Sequence, residues 1–262
     1  MSAAQSTLEA ADPASAAALY CYGVAGPASG RMPAAGGVAN GTVETVPYRD
    51  VAALVTPVAS GRVRATRRDL VSHSDVLAAA FQSATVLPLR FGTVFDSSEQ
   101  LVDEFLEPRY DELTSLLQRF AGTAELSVKA FHREEAVLAE IVRDNPRVAR
   151  MREATRAGPD AATYPLRIEL GELVAAELRR RAGADARALL DRLRPLALAV
   201  DVDDRLIEHQ VLRAAFLVER KRIPAFDAAM DELARLHADR MVFKYLGPLP
   251  PHSFVGLDAG RR

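Results

Sequence analysis

The stretch Val86 to Phe95, V-L-P-L-R-F-G-T-V-F, constrains this chain more than any other. It is apolar enough to lie in a core, yet it holds a proline, an arginine and a glycine. Proline removes a ladder donor, arginine is costly to desolvate and glycine packs nothing, so an uninterrupted buried strand is excluded. The composition predicts two short strand pieces around a bend. Pro88 ends the first, Gly92 gives the second a bulge or a close backbone approach, and Arg90 needs a partner or an outlet to water. On these residues alone the segment is a kinked strand at a sheet edge.

The flanking sequence supplies a sheet for it. Ala17 to Ala25 is compact and aromatic and reads as a buried strand; Gly26 to Gly41 has loop composition; Val43 to Val46 and Val51 to Val58 read as two strands around a Pro47-Tyr48 turn. Arg62, Arg64, Arg67 and Arg68 cluster ahead of a helix over 69–82, where positive charge opposes the macrodipole. They form either a solvated loop and first turn or a contact with an acidic partner. The inward stripe of that helix is Leu70, His73, Leu77, Ala80 and Phe81, and a lone histidine so placed is usually a core residue satisfied by one hydrogen bond. Ser97 with Gln100 has capping-box spacing and opens a helix to Phe120, kinked or split at Pro108.

Gly122 marks a boundary. Glu125 to Phe131 alternates as a strand should. Helical pattern follows over 134–156, broken at Pro146, then over 166–181 and 185–194, with Leu170, Leu173, Val174 and Leu178 on one stripe and Arg179-Arg180-Arg181 in a last turn. Leu196 to Val202 and His209 to Val218 read as a hairpin through Asp203-Asp204. Pro224 starts a helix carrying Phe226, Met230, Leu233 and Leu236, and Met241 to Leu246 is a final strand. That order is the split βαβ, or ferredoxin-like, arrangement with extra helices in its first crossover. The closing G-P-L-P-P-H-S-F, Gly247 to Phe254, is too rich in proline for helix or ladder. The expected fold is α+β: a loose tail over 1–17, an N-terminal α+β domain over 18–121, a C-terminal modified ferredoxin-like (βαββαβ) domain over 122–247, and an extended proline-rich tail over 248–262.

Charge narrows the partners. Lys plus Arg (33) nearly balance Asp plus Glu (35) over 262 residues, which removes the general electrostatic case for nucleic acid or an anionic bilayer. One cysteine, Cys21, cannot form an internal disulfide, which fits a reducing cytosol and a small core filler. The first seventeen residues contain Glu9 and Asp12 but no Lys or Arg, so neither a signal nor a transit peptide fits. No apolar stretch approaches the roughly twenty residues of a membrane span. The expectation is a soluble, cytoplasmic protein whose partners are proteins or small molecules.

Catalytic signatures are missing from the sequence. It has no H-E-x-x-H, paired C-x-x-C, G-x-x-x-x-G-K-[ST], strand-following G-x-G-x-x-G or G-x-S-x-G. His73, His132, His209, His237 and His252 are scattered, with no second ligand at metal spacing. The expectation is no metal, no cofactor and no catalysis.

Three stretches, H-S-D-V-L with V-L-P-L-R-F-G-T-V-F, A-A-F-L-V-E-R ahead of Pro224, and G-P-L-P-P-H-S-F, together resemble the GvpF/GvpL family of gas vesicle proteins, in order and spacing from Tyr20 to Phe254. The resemblance implies a non-enzymatic accessory or minor structural protein of gas vesicle formation, with two α+β domains, located in the cytoplasm or at the gas vesicle. Its implied partners are the small major shell protein and other accessory proteins. The family's marked positions fall on His73, Pro88, Arg90, Phe91, Gly92, Phe216, Gly247, Pro248, Pro250, Pro251 and Phe254, as partner-contact or interdomain residues. The chain departs at Leu249, where a tryptophan is common, and at His252, where a tyrosine is common, which weakens the case for stacked aromatics anchoring the tail. The competing reading is an α+β enzyme or small-ligand binder with a pocket near His73 and Arg90.

Overall fold

The structure is a computed structural model and describes residues 18–26, 36–59 and 63–257. The expected 1–17 tail, Arg62, most of the loop after Gly26 and the end of the proline tail lie outside the described residues. The chain divides into two compact units, Met1–Ala121 with Val255–Arg262, and Gly122–Phe254.

The first unit is built on β1 (Ala18–Ala25), with β2 (Glu44–Tyr48), β3 (Val51–Val58), β4 (Val86–Pro88) and β5 (Val94–Phe95) in the order β2-β3-β1-β4 and β5 also beside β1. All pairings are antiparallel. The central decapeptide is two strand pieces on one edge of β1, Pro88 opposite Gly23 and Phe95 opposite Leu19. Around the bend the ladder is carried by Leu89 N–H to the Tyr22 carbonyl (2.8 Å) and Cys21 N–H to the Thr93 carbonyl (2.9 Å). The β2–β3 turn falls at Arg49-Asp50, not at Pro47-Tyr48: Pro47 pairs with Ala52 on an edge strand, where its missing N–H breaks no second ladder.

Helix α1 (Arg67–Phe81) starts at Thr66, whose side chain accepts from Asp69 N–H. It buries His73, Val76, Leu77, Ala80 and Phe81, whereas Leu70, expected inward, is 44% exposed because the stripe begins one turn later. Ser97 caps α2 (Ser98–Leu101), and Gln100 reaches back to Asp96 N–H rather than to the cap's own. A π turn, Val102–Leu106, leads to the break at Pro108, after which α3 (Tyr110–Phe120) runs to the boundary.

The second unit contains β6 (Thr123–His132), α4 (Glu134–Asp144), α5 (Pro146–Ala157), α6 (Asp160–Leu193), β7 (Ala199–Val202), β8 (Gln210–Glu219), α7 (Ile223–Leu236) and β9 (Met241–Leu249), with sheet order β7-β8-β6-β9, every pair antiparallel. Leu126, Val128 and Ala130 of β6 pack with Phe216, with Leu189 and Leu193 of α6 and with Phe226, Met230 and Leu233 of α7, so these two helices cover one face of the sheet. Val137, Ile141 and Val148 gather Leu170, Leu173, Val174 and Leu178 into a second cluster.

Five expectations are corrected here. The two helices expected over 166–181 and 185–194 are one 34-residue helix through Pro165 and Gly183. Glycine costs a helix about 1 kcal/mol, but Arg181 and Asp185 on either side of Gly183 are tied to other elements, which holds the helix continuous. Arg179-Arg180-Arg181 is therefore mid-helix, and ion pairs rather than the dipole account for two of its residues: Arg180 with Glu177, and Arg181 with Glu140 and Asp144. The β7–β8 connection spans 203–209 instead of turning at Asp203-Asp204, and Leu236 is 73% exposed at the end of α7. Finally, β9 continues past Leu246 through Gly247 and Pro248, with Leu249 opposite Glu125 after a register shift in the ladder. Among the described residues no helix is long and apolar enough to cross a membrane.

Candidate functional site

In the first unit, the alternation L-Y-C-Y on β1 puts Tyr20 and Tyr22 on one face, fully buried, and α1 lays His73 against them. Tyr20 Oη lies 2.8 Å from His73 Nδ1 and also accepts the Gly92 N–H at 3.2 Å. Tyr22 Oη lies 2.8 Å from Thr56 Oγ1 and accepts the Val38 N–H at 2.8 Å. His73 stacks on Tyr22 and meets Tyr20 and Phe91 edge-on, with ring centroids 5.5 to 5.8 Å apart. Burial pushes the Tyr20 hydroxyl well above its ordinary range and raises that of Tyr22, so both stay neutral donors and acceptors.

Gly92 has φ +88°, a conformation glycine adopts without a Cβ clash, and this turns its N–H toward Tyr20. The Arg90 carbonyl accepts from Thr93 N–H and Oγ1, closing the bend, while the Arg90 side chain is exposed. Pro88 is buried and Phe91 half-buried. The structure thus brings His73, Phe91 and Gly92 together around Tyr20 and turns Arg90 to solvent.

In the second unit, Phe216 is fully buried and meets Phe226 at 5.2 Å. Gly247 is in close contact with β6: a Cβ there would stand 2.6 Å from Leu126 Cδ2 and 2.9 Å from the Glu125 carbonyl. Pro250 and Pro251 are buried, Phe254 half-buried, and Pro248 exposed in β9. The turn they form is held by Glu125, itself 5% exposed, whose carboxylate accepts from Ser253 N–H (2.7 Å) and Ser253 Oγ (3.0 Å).

The most extensive polar cluster in this unit lies elsewhere. His132 Nε2 meets Asp185 Oδ2 at 2.8 Å; Arg240 bridges Asp185 and Glu140 through four hydrogen bonds of 2.6 to 3.2 Å; Arg181 joins Glu140 and Asp144. Burial alone would raise the Asp185 carboxyl, but hydrogen bonds from His132 and Arg240 hold it down to about 2. His132 also borders an open, mostly apolar cavity of about 700 Å³ between α6 and the 203–209 connection, lined by Leu178, Ala182, Leu206 and Ile207 among others. Among the described residues no group of three or more His, Cys, Asp or Glu could hold a metal ion. The network joins α4, α6 and the sheet ends through charge-assisted bonds.

A family model described as gas vesicle synthesis protein GvpL/GvpF matches residues 18–256. The chain belongs to this family. It is 36% identical over 240 residues to gas vesicle protein F of Streptomyces sp. (strain CB03234), covering 90% of this chain and 98% of that one. It is 30% identical over 193 residues to gas vesicle protein F of Nostoc sp. (strain PCC 7120), covering 73% and 78%. The crystal structure of GvpF from Anabaena sp. PCC7120 superposes with TM-score 0.78 at 26% identity over 93% of this chain and all of that one. The fold, a mixed α/β chain with two antiparallel sheets, is that of this GvpF structure.

Within this GvpL/GvpF chain, the marked positions divide between the two units, and several serve as packing or turn residues. Sequence reasoning missed their partners. Tyr20 was legible as buried from the apolar run around it, but not as the acceptor for Gly92. Glu125 gave no signal, because an acidic residue in an alternating strand reads as solvent-facing. His132 and Asp185 are 53 residues apart and share no motif.

Proposed function

We propose that this GvpL/GvpF-family chain is an accessory or minor structural protein of gas vesicle assembly. It binds the small major shell protein and other accessory proteins, in the cytoplasm or at the vesicle, and catalyses no reaction. The observation that carries the reading is the family match over 18–256. It is supported by the state of the two residues on which a catalytic reading would rest: His73 is packed among three aromatic rings with Nδ1 on Tyr20, and Arg90 is exposed at the bend. Gas vesicle walls are made of small apolar subunits, and covering exposed apolar surface is something a folded scaffold can do.

The same proposal takes residues 18–121 and 122–247 as two folding domains and the second as a modified ferredoxin-like fold. The strand order β7-β8-β6-β9 and the connection β-ααα-β-β-α-β support that reading. The marked positions of the bend and the closing turn are proposed to shape a contact face indirectly, by fixing backbone. The test is co-purification of the tagged full chain with the major shell protein, beside a chain ending at Leu249. Retention with the full chain supports the proposal. Absence of retention, or turnover of a metabolite by the purified chain, overturns it.

A further inference from the structure

The face of the second sheet opposite α6 and α7 carries the alternate residues of β6: Glu125, Ser127, Lys129 and Phe131. Its Glu125 end is occupied by the Ser253 turn. Beyond it Ser127, Lys129 and Phe131 are half-buried, whereas Arg213, Val242, Lys244 and Leu246 are exposed. In the observed register Lys129 stands directly opposite Lys244 of β9 on one side and Arg213 of β8 on the other, so three cations form one row across three strands, about 10 Å long. Like charges directly opposite one another destabilise a sheet. Arg213 has Asp203 at 3.4 Å, and Lys244 Nζ lies 5.5 Å from the Phe131 ring, but among the described residues neither lysine pairs with a carboxylate. Asp201 of β7 sits one row away, opposite Ala215.

Each neighbouring row carries one exposed apolar residue of β9 beside polar ones: Ser127 and Asp201 share the row of Leu246, and Gln210 shares that of Val242 and Phe131. Val242, opposite Phe131, is 39% exposed, and Leu246, opposite Ser127, is 63% exposed. Two lysines that pair with no carboxylate among the described residues, beside an Arg213 already paired with Asp203 and between the exposed Val242 and Leu246, are complementary to carboxylates flanked by apolar side chains. Phosphate, from nucleic acid or lipid headgroups, would answer the charges and leave Val242 and Leu246 in water.

We propose that this face docks an acidic amphipathic helix of a partner protein. Carboxylates at i, i+4 and i+7 of such a helix span about 10 Å along its axis, enough to meet Lys244, Lys129 and Arg213 while flanking apolar residues cover Val242, Phe131 and Leu246. The inference is independent of the function proposed above and fails or stands separately from shell-protein retention.

The test uses the full chain and a labelled synthetic helix with Glu at those three positions between leucines, beside the same peptide with Gln for Glu. Binding to the Glu peptide should be about tenfold tighter than to the Gln peptide, and should fall about tenfold in the Lys129→Gln/Lys244→Gln variant. Failure to bind the Glu peptide, equal binding of the two peptides, or unchanged binding by the variant would overturn the proposal. So would lysine-dependent binding of duplex DNA or phosphatidylglycerol vesicles as tight as that of the Glu peptide. Thermal unfolding of the variant is a separate readout: relief of like-charge repulsion should hold or raise its Tm, and a marked fall would mean that the lysines stabilise the sheet itself, contrary to the proposal.

Discussion

Glu125 and Ser253, 128 residues apart, are joined by two hydrogen bonds from the serine, N–H to Oε2 at 2.7 Å and Oγ to Oε1 at 3.0 Å. The carboxylate lies on a β6 residue that is 5% exposed, so a buried acid holds the turn that closes the second unit. Within that turn His252 N–H donates to the Pro250 carbonyl and Phe254 N–H to the Pro251 carbonyl. The proline segment is therefore a folded turn with a fixed anchor.

Burial raises the Glu125 carboxyl above its ordinary 4.5, although both Ser253 bonds pull the other way. A carboxyl with a raised folded-state pKa contributes stability that is fully present below 4.5 and is lost as pH rises through the folded value. Glu125→Gln keeps an acceptor without the charge. It should match or exceed the parent at pH 7 and lose this pH dependence, while Glu125→Ala should cost about 1–3 kcal/mol. Urea midpoints between pH 4.5 and 8 decide this. If the glutamine variant is as damaged as the alanine one at pH 7, the charge itself holds the turn.

Gly247 enables the approach of β9 to β6 beside that anchor. With φ +149° and a Cβ that would stand 2.9 Å from the Glu125 carbonyl, Gly247→Ala combines backbone strain with a clash. A loss of about 2–4 kcal/mol is expected. Limited proteolysis should cut the closing turn of the variant before any other site, and an unchanged cleavage pattern would refute the role given to this glycine.

How far these features were legible depended on the range of the interaction behind them. The bend in Val86 to Phe95 was readable because proline and glycine impose local geometry. By contrast, the periodicity predicts two helices, 166–181 and 185–194, where α6 is one, because Arg181 and Asp185 hold it through partners 41 to 55 residues away. For the same reason β9 was ended too early: Pro248 argues against a ladder, and only the register shift opposite Glu125 shows how the strand continues. His73 lies on the inward stripe of α1, which the spacing makes legible, but Tyr20 as its partner requires the packing of α1 on β1.

Tyr20→Phe removes the hydroxyl that meets both His73 Nδ1 and Gly92 N–H. The expected cost is about 1–3 kcal/mol. In a cycle with His73→Ala, which also loses three ring contacts, the two changes should couple by about 1 kcal/mol, as expected of residues in direct contact. Strict additivity in chemical unfolding would show that the 2.8 Å contact contributes nothing.

Cys21 is fully buried in β1, and burial pushes its thiol up to about 12. The thiolate is the reactive form, so at pH 8 the folded chain should leave Ellman's reagent uncoloured and react with one equivalent once unfolded. Fast reaction of the native protein would contradict the packing of this strand.

Asp185 offers the opposite pH signature. Hydrogen bonds from His132 and Arg240 outweigh burial and hold its carboxyl at about 2, below the ordinary 3.8. A depressed carboxyl contributes stability that is present above 3.8 and is lost as pH falls toward 2. Holding the carboxyl at about 2 instead of 3.8 contributes about 2 kcal/mol. Asp185→Asn leaves His132 and Arg240 facing a neutral amide, so the variant should be about 2 kcal/mol less stable than the parent at pH 7. The gap should close as both are acidified through this window, because the parent then protonates the same group. Guanidinium midpoints for the two chains from pH 7 to 2 test this directly, and a gap that stays constant would mean that Asp185 acts through its shape rather than its charge.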